Sequence, residues 1–393
     1  MPLNGKNRTA RNVVLLTFTF LVIELLDELV DGVRGAAWPL IRNDLHLSYV
    51  QVGMLLTIPN TISSLIEPIL GILGDIGYRR QLILGGGIAF AISLLLVSFS
   101  QNFSLLLAAF VLFYPASGAF VSLSQATLMD IEPTRHQQNM ARWTLAGSVG
   151  NVIGPLILSC AVALHQSWRS AFLVLAVLTL LLLGVLWNPI TTLPASEQVN
   201  EPMHGFNLGI RNALITLKQS EVLRWLTLLQ FSDLMLDVLR GFLALYFVDV
   251  VGANNTQASF AVTIWLGVGL LGDFLIIPLL ERVRGLDYLR FSAIIVLCLY
   301  SAFLVVPNIN VKFLILGLLG FFNAGWYSIL KGQLYTAMPG QSGTVMTLDN
   351  LFGLVGGFMP LILGLLATQF GLQNIMWVLL VAPIALLIGI FDS

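Results

Sequence analysis

The sequence predicts an all-α integral membrane protein, with twelve transmembrane helices in two pseudo-symmetric six-helix bundles. Three observations carry this prediction: the composition, a run of twelve hydrophobic segments, and an internal repeat at an offset of 206 residues. Of the residues, 57% are hydrophobic and 10% charged, and the mean hydropathy of +0.89 is a value that a soluble domain with a polar surface could hardly reach. The spans nearly use up the 42.9 kDa mass, which leaves no room for a soluble catalytic domain and argues against an enzyme. No cofactor, no metal centre and no nucleic acid is expected; the expected partners are a small-molecule substrate, protons and membrane lipid, with the chain acting as a monomer.

In chain order the segments lie at roughly 12–39, 48–75, 81–100, 103–130, 137–165, 168–187, 222–250, 256–281, 288–306, 311–338, 342–369 and 372–391, each long enough to cross a bilayer. The first carries four carboxylates, Glu24, Asp27, Glu28 and Asp31, with Arg34 one turn further on. At about 100° per residue the acids share one arc about 100° wide, so they face protein or water and not lipid. An ionised acid at such a depth costs roughly 2.5 to 3.5 kcal/mol on insertion scales, and intramembrane ionisable groups mark ion or proton sites by default. The competing reading is an ion pair between Asp31 and Arg34, three residues apart, which leaves the other acids to be explained.

Basic residues set the orientation. If the helices alternate, 13 of the flanking Lys and Arg residues fall on one side, against Arg42, Arg169 and Lys312 on the other, so both termini are expected in the cytoplasm of a cell whose inner (plasma) membrane holds the protein. The basic start (Lys6, Arg8, Arg11) runs into a span too long and too acidic for a cleavable signal peptide. Cys160 and Cys298 both lie in apolar segments, so no disulfide framework is expected. Asn254-Asn255-Thr256 matches a glycosylation sequon, a three-residue pattern with no weight of its own.

The polar interval 188–221 contains Pro189, Pro194, Pro202, Gly205 and Gly209 and separates an N-terminal bundle (12–187) from a C-terminal one (222–391). An interfacial helix is expected within it, near 208–217. Shifting the chain by 206 residues lays Asp27, Asp31, Arg34 and Gly35 over Asp233, Asp237, Arg240 and Gly241, Gln51 over Gln257, Glu67 over Asp273, Asp75 over Glu281, and Gly147 and Gly150 over Gly353 and Gly356. One register held across five helices is a duplication, and parallel repeats of this kind place their binding sites near mid-membrane between the halves.

After the second span the chain reads Gly71-Ile-Leu-Gly-Asp75-Ile-Gly77-Tyr-Arg79-Arg80, which resembles the loop signature of the major facilitator superfamily. The second glycine is displaced to Gly77, and Ile76 replaces the arginine that usually follows the aspartate. The resemblance implies the fold of that superfamily, with Gly71, Asp75, Arg79 and Arg80 as an inner gate; a carboxylate at a helix end can pair with cytoplasmic arginines and with the N-terminus of a facing helix. The fifth span, with Gly147, Gly150, Gly154 and Pro155, resembles the pattern of proton-exchanging exporters, and small residues so spaced also let two helices approach closely. Trp38-Pro39-Leu40-Ile41, Gln51-Val52-Gly53 and Ser63-Ser64-Leu65-Ile66-Glu67-Pro68 resemble the fosmidomycin-resistance type of drug exporter.

Nine candidate membrane acids (the four of the first span, Glu67, Asp233, Asp237, Asp273 and Asp349) face three bases, Arg34, Arg240 and Lys331. Crowded, poorly solvated carboxylates resist joint ionisation, so protons could load and leave them. The expectation is therefore a proton-coupled antiporter exporting a cationic or amphipathic compound, with Phe113, Tyr114, Phe120, Tyr246, Trp326 and Tyr327 as candidate aromatic surface. Two alternatives stand beside it. One is a divalent-metal transporter using carboxylates with Gln51 or Gln257, since His46, His136, His165 and His204 fall near loops. The other is a transporter of an anionic or zwitterionic lipid or metabolite bound by Arg34, Arg240 and Lys331. Lys331, whose repeat equivalent is Gln125, is alternatively a salt-bridge partner of Asp233 or Asp237.

Overall fold

A computed structural model describes residues 3–47, 49–132, 134–190, 215–216, 218–253, 255–356 and 359–390. The interfacial helix expected at 208–217 and the first residue of the sequon lie outside these, residues 215–216 excepted. Among the described residues the structure is helical throughout, without strands.

The helices are α1 (Leu3–Asp44), α2 (Tyr49–Leu73), α3 (Arg79–Phe99), α4 (Phe103–Ser117), α5 (Leu123–Ile131), α6 (His136–Ala163), α7 (Trp168–Ile190), α8 (Ser220–Asp233), α9 (Leu239–Leu245), α10 (Asn255–Leu279), α11 (Gly285–Val305), α12 (Ile309–Asn323), α13 (Trp326–Ala337), α14 (Ser342–Gly356), α15 (Met359–Phe370), α16 (Leu372–Met376) and α17 (Val381–Ile390). Local chemistry marks several ends. Asn102 and Asn308 cap α4 and α12, their side chains accepting from Leu105 N at 2.9 Å and from Asn310 N at 2.9 Å. Between α2 and α3 the chain turns at Gly77, whose φ of 109° a residue with a Cβ rarely adopts, which is the reason for the displaced glycine of the loop signature. π-helical turns at Gly118–Ser122 and Leu234–Val238 join α4 to α5 and α8 to α9. Such turns often mark functional positions.

Eight helical stretches among the described residues are long and apolar enough to cross a membrane. One, Thr57–Phe99, contains two helices meeting at Gly77. Counting that one as two, and adding the acid-bearing α1, the acid-bearing α8–α9 run and the α14–α15 pair, gives each of the twelve expected spans its helix.

Contacts divide the chain into two compact units. The first comprises Met1–Thr134, Ala146–Thr216 and Met338–Asn350; the second comprises Arg135–Leu145, Leu217–Ala337 and Leu351–Ser393. Each sequence half thus contributes a short segment, the start of α6 or of α14, to the unit built mainly from the other half. In the first unit α3 packs on α4 and α7 around Phe90, Phe110, Phe120 and Phe172, all fully buried. In the second, α12 packs on α10 and α11, and α8 on α13 and α17, around Phe247, Tyr300, Phe303 and Trp326. Two aromatics of the expected substrate surface belong to the first core: Phe113 and Phe120 lie 4.8 and 5.8 Å from the Phe90 ring and are buried. Burying large rings among themselves satisfies the apolar packing demand and removes them from any ligand surface.

Candidate functional site

Four acids on one face of α1 need neighbours that bring the backbone close, and the glycines of α6 provide them. A Cβ on Gly150 would lie 2.5 Å from the Leu25 carbonyl oxygen, and one on Gly154 would lie 2.7 Å from that of Leu29. From the other side, a Cβ on Gly32 would meet Asn151 O and Pro155 Cδ, each at 3.0 Å. The two helices therefore touch backbone to backbone, as the glycine spacing implied. Buried Glu24 lies against Gly147, and Glu28 accepts a hydrogen bond from Asn151 Nδ2 at 2.6 Å.

The remaining acids of α1 face α4. Ser117 Oγ donates to Asp27 Oδ1 at 3.0 Å. Arg34 pairs with Asp31 and donates to Tyr114 Oη at 2.6 Å, its guanidinium 5.1 Å from the Tyr114 ring centre. The Asp31–Arg34 pair considered from sequence is thus formed, and Asp31 remains half exposed at 52%. Glu67, on α2, comes to the same place: its side chain packs against Gly118, the residue after Ser117, and it accepts from Ser63 Oγ at 2.6 Å and Asn350 Nδ2 at 2.7 Å. Asp27 and Glu67 thus reach consecutive positions of one helix, and each lies within the electrostatic reach of the other.

Two turns beyond Glu67, Asp75 closes the first unit around the start of α14. It accepts from Gly343 N at 2.9 Å, Thr344 N at 2.7 Å, Thr344 Oγ1 at 2.7 Å and Arg79 Nη2 at 2.8 Å. Arg79 also pairs with Asp130 and donates to Ser342 Oγ at 2.8 Å, while Ser342 Oγ donates to Asp130 at 2.6 Å. The backbones of Gly71 and Gly343 touch, where no Cβ fits. A carboxylate on two free N–H groups of a helix N-terminus is the favourable end of the helix dipole. Arg80, expected to share this role with Arg79, is exposed and makes no hydrogen bond or ion pair among the described residues.

In the second unit Asp237 pairs with Arg240 at 3.0 Å, repeating the Asp31–Arg34 pair 206 residues on; both partners are largely exposed. Asp233 and Asp237 line a cavity of about 590 Å³ between α8 and α14. Asp273, on α10, lies near Tyr288. Lys331 is buried, its Nζ 5.9 and 6.0 Å from the ring centres of Tyr327 and Tyr335. The start of α6 repeats in neutral form what the start of α14 does in the first unit: His136 Nδ1 and Thr336 Oγ1, on the register equivalents of Ser342 and Asp130, lie 2.9 Å apart. Glu281, equivalent to Asp75, is exposed.

Lys312 corrects the sequence reading. Counted there as an outer flanking charge, it is 3% exposed. Its Nζ donates to Tyr246 Oη at 3.0 Å and to Phe303 O near the C-terminus of α11, with the Tyr246 and Phe303 ring centres 5.1 and 4.7 Å away. A cation at a helix C-terminus among aromatic faces is well placed in an apolar interior. Its position near a span end hid this burial, and the residues around it give no cue, since its partner Tyr246 lies 66 residues earlier in the chain. Tyr246 is thereby committed to Lys312, and Trp326, whose Nε1 donates to Ser292 Oγ at 2.9 Å, is committed to the core; neither is free for a ligand. Lys312→Met should keep the volume but strand the Phe303 carbonyl and the Tyr246 hydroxyl, for a loss of about 1 to 3 kcal/mol. Thermal unfolding of the purified protein measures this, and an unchanged midpoint would show that the lysine contributes nothing there.

Ser117, Asn151, Asp130, Thr344 and Asn350 escaped the sequence reading. Ser117 and Asn151 are ordinary helix residues by type. Asp130, at a span end, and Asn350, beside Asp349 inside a span, offered the only signal, a polar residue in or at the edge of an apolar run.

Comparison with known proteins agrees with this arrangement. The family model described as Major Facilitator Superfamily matches residues 21–359. The chain is 22% identical over 375 residues to the fosmidomycin resistance protein of Escherichia coli (strain K12), covering 93% of this chain and 90% of that protein. Among solved structures it superposes on the Escherichia coli fucose:proton symporter FucP with a TM-score of 0.76 at 15% identity, covering 97% of this chain and 98% of that one. It superposes on the proton:xylose symporter XylE with a TM-score of 0.68 at 14% identity, covering 98% and 96%. With a family match that runs from α1 to α15, an all-helical fold shared with transporters, and a helix-capping aspartate where the superfamily's loop signature stands, the chain belongs to the major facilitator superfamily and is a multi-pass membrane transporter, not an enzyme.

Proposed function

We propose that the protein is a proton-coupled antiporter that exports a small cationic or amphipathic compound by alternating access. The observation that carries this reading is the convergence of Asp27 and Glu67, from different helices, on Ser117 and Gly118 of one turn. Two carboxylates so placed in a membrane interior resist being charged together, so that a bound proton or a bound cation relieves the same repulsion. Mutually exclusive occupancy by protons and a cationic substrate is the requirement of antiport. Asp31 and Arg34 form a neutral pair beside them and tune their charge, with Asp233, Asp237 and Arg240 as counterparts in the second unit.

Export is supported by the name of the fosmidomycin resistance relative and by the glycines of α6, which seat the acidic face of α1. FucP and XylE are described as proton symporters, so the fold alone sets no direction. The metal alternative calls for several ligating side chains at one point, and among the described residues His, Cys, Asp and Glu form no group of three or more able to hold an ion. For the anion alternative, Arg34 and Arg240 are already engaged by Asp31 and Asp237. Cytoplasmic termini remain the reading of the basic residues, since moving Lys312 from flank to interior turns the balance of 13 to 3 into 13 to 2.

Proteoliposomes with an imposed proton gradient test the coupling. The double variant Asp27→Asn, Glu67→Gln should fold and bind but lose uphill movement of ethidium, down to the level of protein-free liposomes. A well-folded double variant that still drives uphill transport at the wild-type rate would rule the coupling role out.

A further inference from the structure

The segment of α14 that belongs to the first unit is fastened at both ends by acids of one strip of chain. Asp75 takes the N–H groups of Gly343 and Thr344, and Glu67 takes the side-chain amide of Asn350, the last residue of α14 in that unit. Between them Thr347 Oγ1 donates to the Pro68 carbonyl at 3.0 Å, and Gly71 touches Gly343. The counterpart segment, at the start of α6, is held in the second unit through other groups: Gln138 Nε2 on Leu280 O at 3.1 Å, His136 with Thr336, and Thr144 Oγ1 with Ser328 Oγ at 2.9 Å. Thr144 is the register equivalent of Asn350. Where Thr144 meets a hydroxyl, Asn350 meets a carboxyl group whose charge can change.

We propose that Asn350 is a positioning residue of the transport cycle, which makes the hold of the first unit on α14 depend on whether Glu67 is charged. The inference rests on the coupling role given to Asp27 and Glu67 above and adds the residue through which that role reaches α14. Ionised Glu67 accepts on both oxygens, from Ser63 on Oε1 and from Asn350 on Oε2. A proton on either oxygen turns the Asn350 contact from charge-assisted into neutral, and a neutral hydrogen bond is roughly half as strong. A cationic substrate at Glu67 draws on the same charge. Ser63 lies on α2 with Glu67, so its bond stays within one helix, whereas that of Asn350 joins two. The titratable groups that face Glu67 are Asp27 of α1 and Asp349 of α14; beside Asp27 stand the Asp31–Arg34 pair and Tyr114 of α4, which Arg34 engages. Asp349 repels ionised Glu67 and opposes the clasp, but a direct bond at 2.7 Å outweighs a repulsion that falls with distance.

Nitroxide labels at Arg80 and Gln341, in a chain without its two exposed cysteines (Cys160→Ser, Cys298→Ser), measure the hold as the ratio of long to short distances. Glu67→Gln and Asn350→Ala should each raise that ratio roughly fivefold at neutral pH, and the two together no more than Asn350→Ala alone, because both act on one interaction. Ser63→Ala removes the other partner of Glu67 without touching α14 and should leave the ratio unchanged. Effects that multiply, a ratio that Glu67→Gln does not move, or an equal rise with Ser63→Ala would each overturn the clasp. The wild-type protein gives a second measurement. Binding of ethidium, a planar aromatic monocation, should quicken amide hydrogen exchange over residues 343–350 by a similar factor, since exchange follows local opening. In Asn350→Ala that response should disappear, which the loss of a merely structural contact would not bring about. Unchanged exchange in ethidium-bound wild-type protein would overturn the clasp and leave the coupling role intact. Glu67→Gln protein that still moves ethidium uphill at the wild-type rate would remove the coupling role of Glu67, and the clasp with it.

Discussion

Leucine in place of Gly150 should leave little folded protein. Its Cβ alone would lie 2.5 Å from Leu25 O, 2.8 Å from Glu28 Cβ and 3.0 Å from Leu29 N, and two of these three atoms are backbone. Backbone atoms cannot rotate aside, so α1 would have to shift and carry its acids away from Ser117 and Asn151. Overpacking of this kind costs about 3 kcal/mol, and more where a helix must move. The yield of monodisperse protein and its thermal midpoint measure the effect. The sharper comparison is Gly353→Leu, at the repeat equivalent of Gly147 and one turn from the equivalent of Gly150, where a Cβ has open space and the expected loss is small. Equal midpoints for Gly150→Leu and the wild type would mean that α1 and α6 do not touch as described.

Asp75→Asn should loosen the hold of the first unit on the start of α14. The aspartate accepts from two backbone N–H groups, a hydroxyl and a guanidinium, and the amide replaces one acceptor oxygen with a donor that opposes them. Hydrogen bonds to a charged group contribute about 1.5 to 3 kcal/mol each, so losing even one or two should weaken the hold of Asp75 on the start of α14 by about 2 to 4 kcal/mol. That shift corresponds to roughly thirtyfold or more in population. Arg79 would keep Asp130, which limits the loss. Nitroxide labels at the exposed residues Arg80 and Gln341 read the outcome as a distance distribution. A second, longer distance should grow in the variant, and identical distributions would refute the latch.

The spans, the acids of α1 and the Asp75 position were legible because each depends on residue type within one segment. Hydrophobic runs mark spans wherever they pack, and an acid in such a run stands out regardless of its partner. Partners were not legible. Asp27 meets Ser117 across 90 residues and Glu67 meets Asn350 across 283, and neither serine nor asparagine differs by type from the many that merely face solvent or backbone. Lys312 was placed on the wrong side of the distinction between flank and core because charge counting uses distance from a span end, whereas burial depends on what α11 presents there. Phe113 and Phe120 illustrate the converse limit: an aromatic on an acidic bundle looks the same in sequence whether it meets a ligand or another ring.

The segments exchanged between the units bear on how the chain is made. Asp75, Arg79 and Asp130 emerge from the ribosome early, yet their partners Ser342, Gly343 and Thr344 follow more than 200 residues later. Contacts so distant in sequence form late and slowly, because a long loop must close before they are rewarded. Until then Asp75, Arg79 and Asp130 have only one another, and a chain severed in the 188–221 interval should give an N-terminal fragment without the Met338–Asn350 segment of the first unit and a C-terminal fragment without the Arg135–Leu145 segment of the second. The first unit should therefore reach its full set of contacts only once α14 has been made.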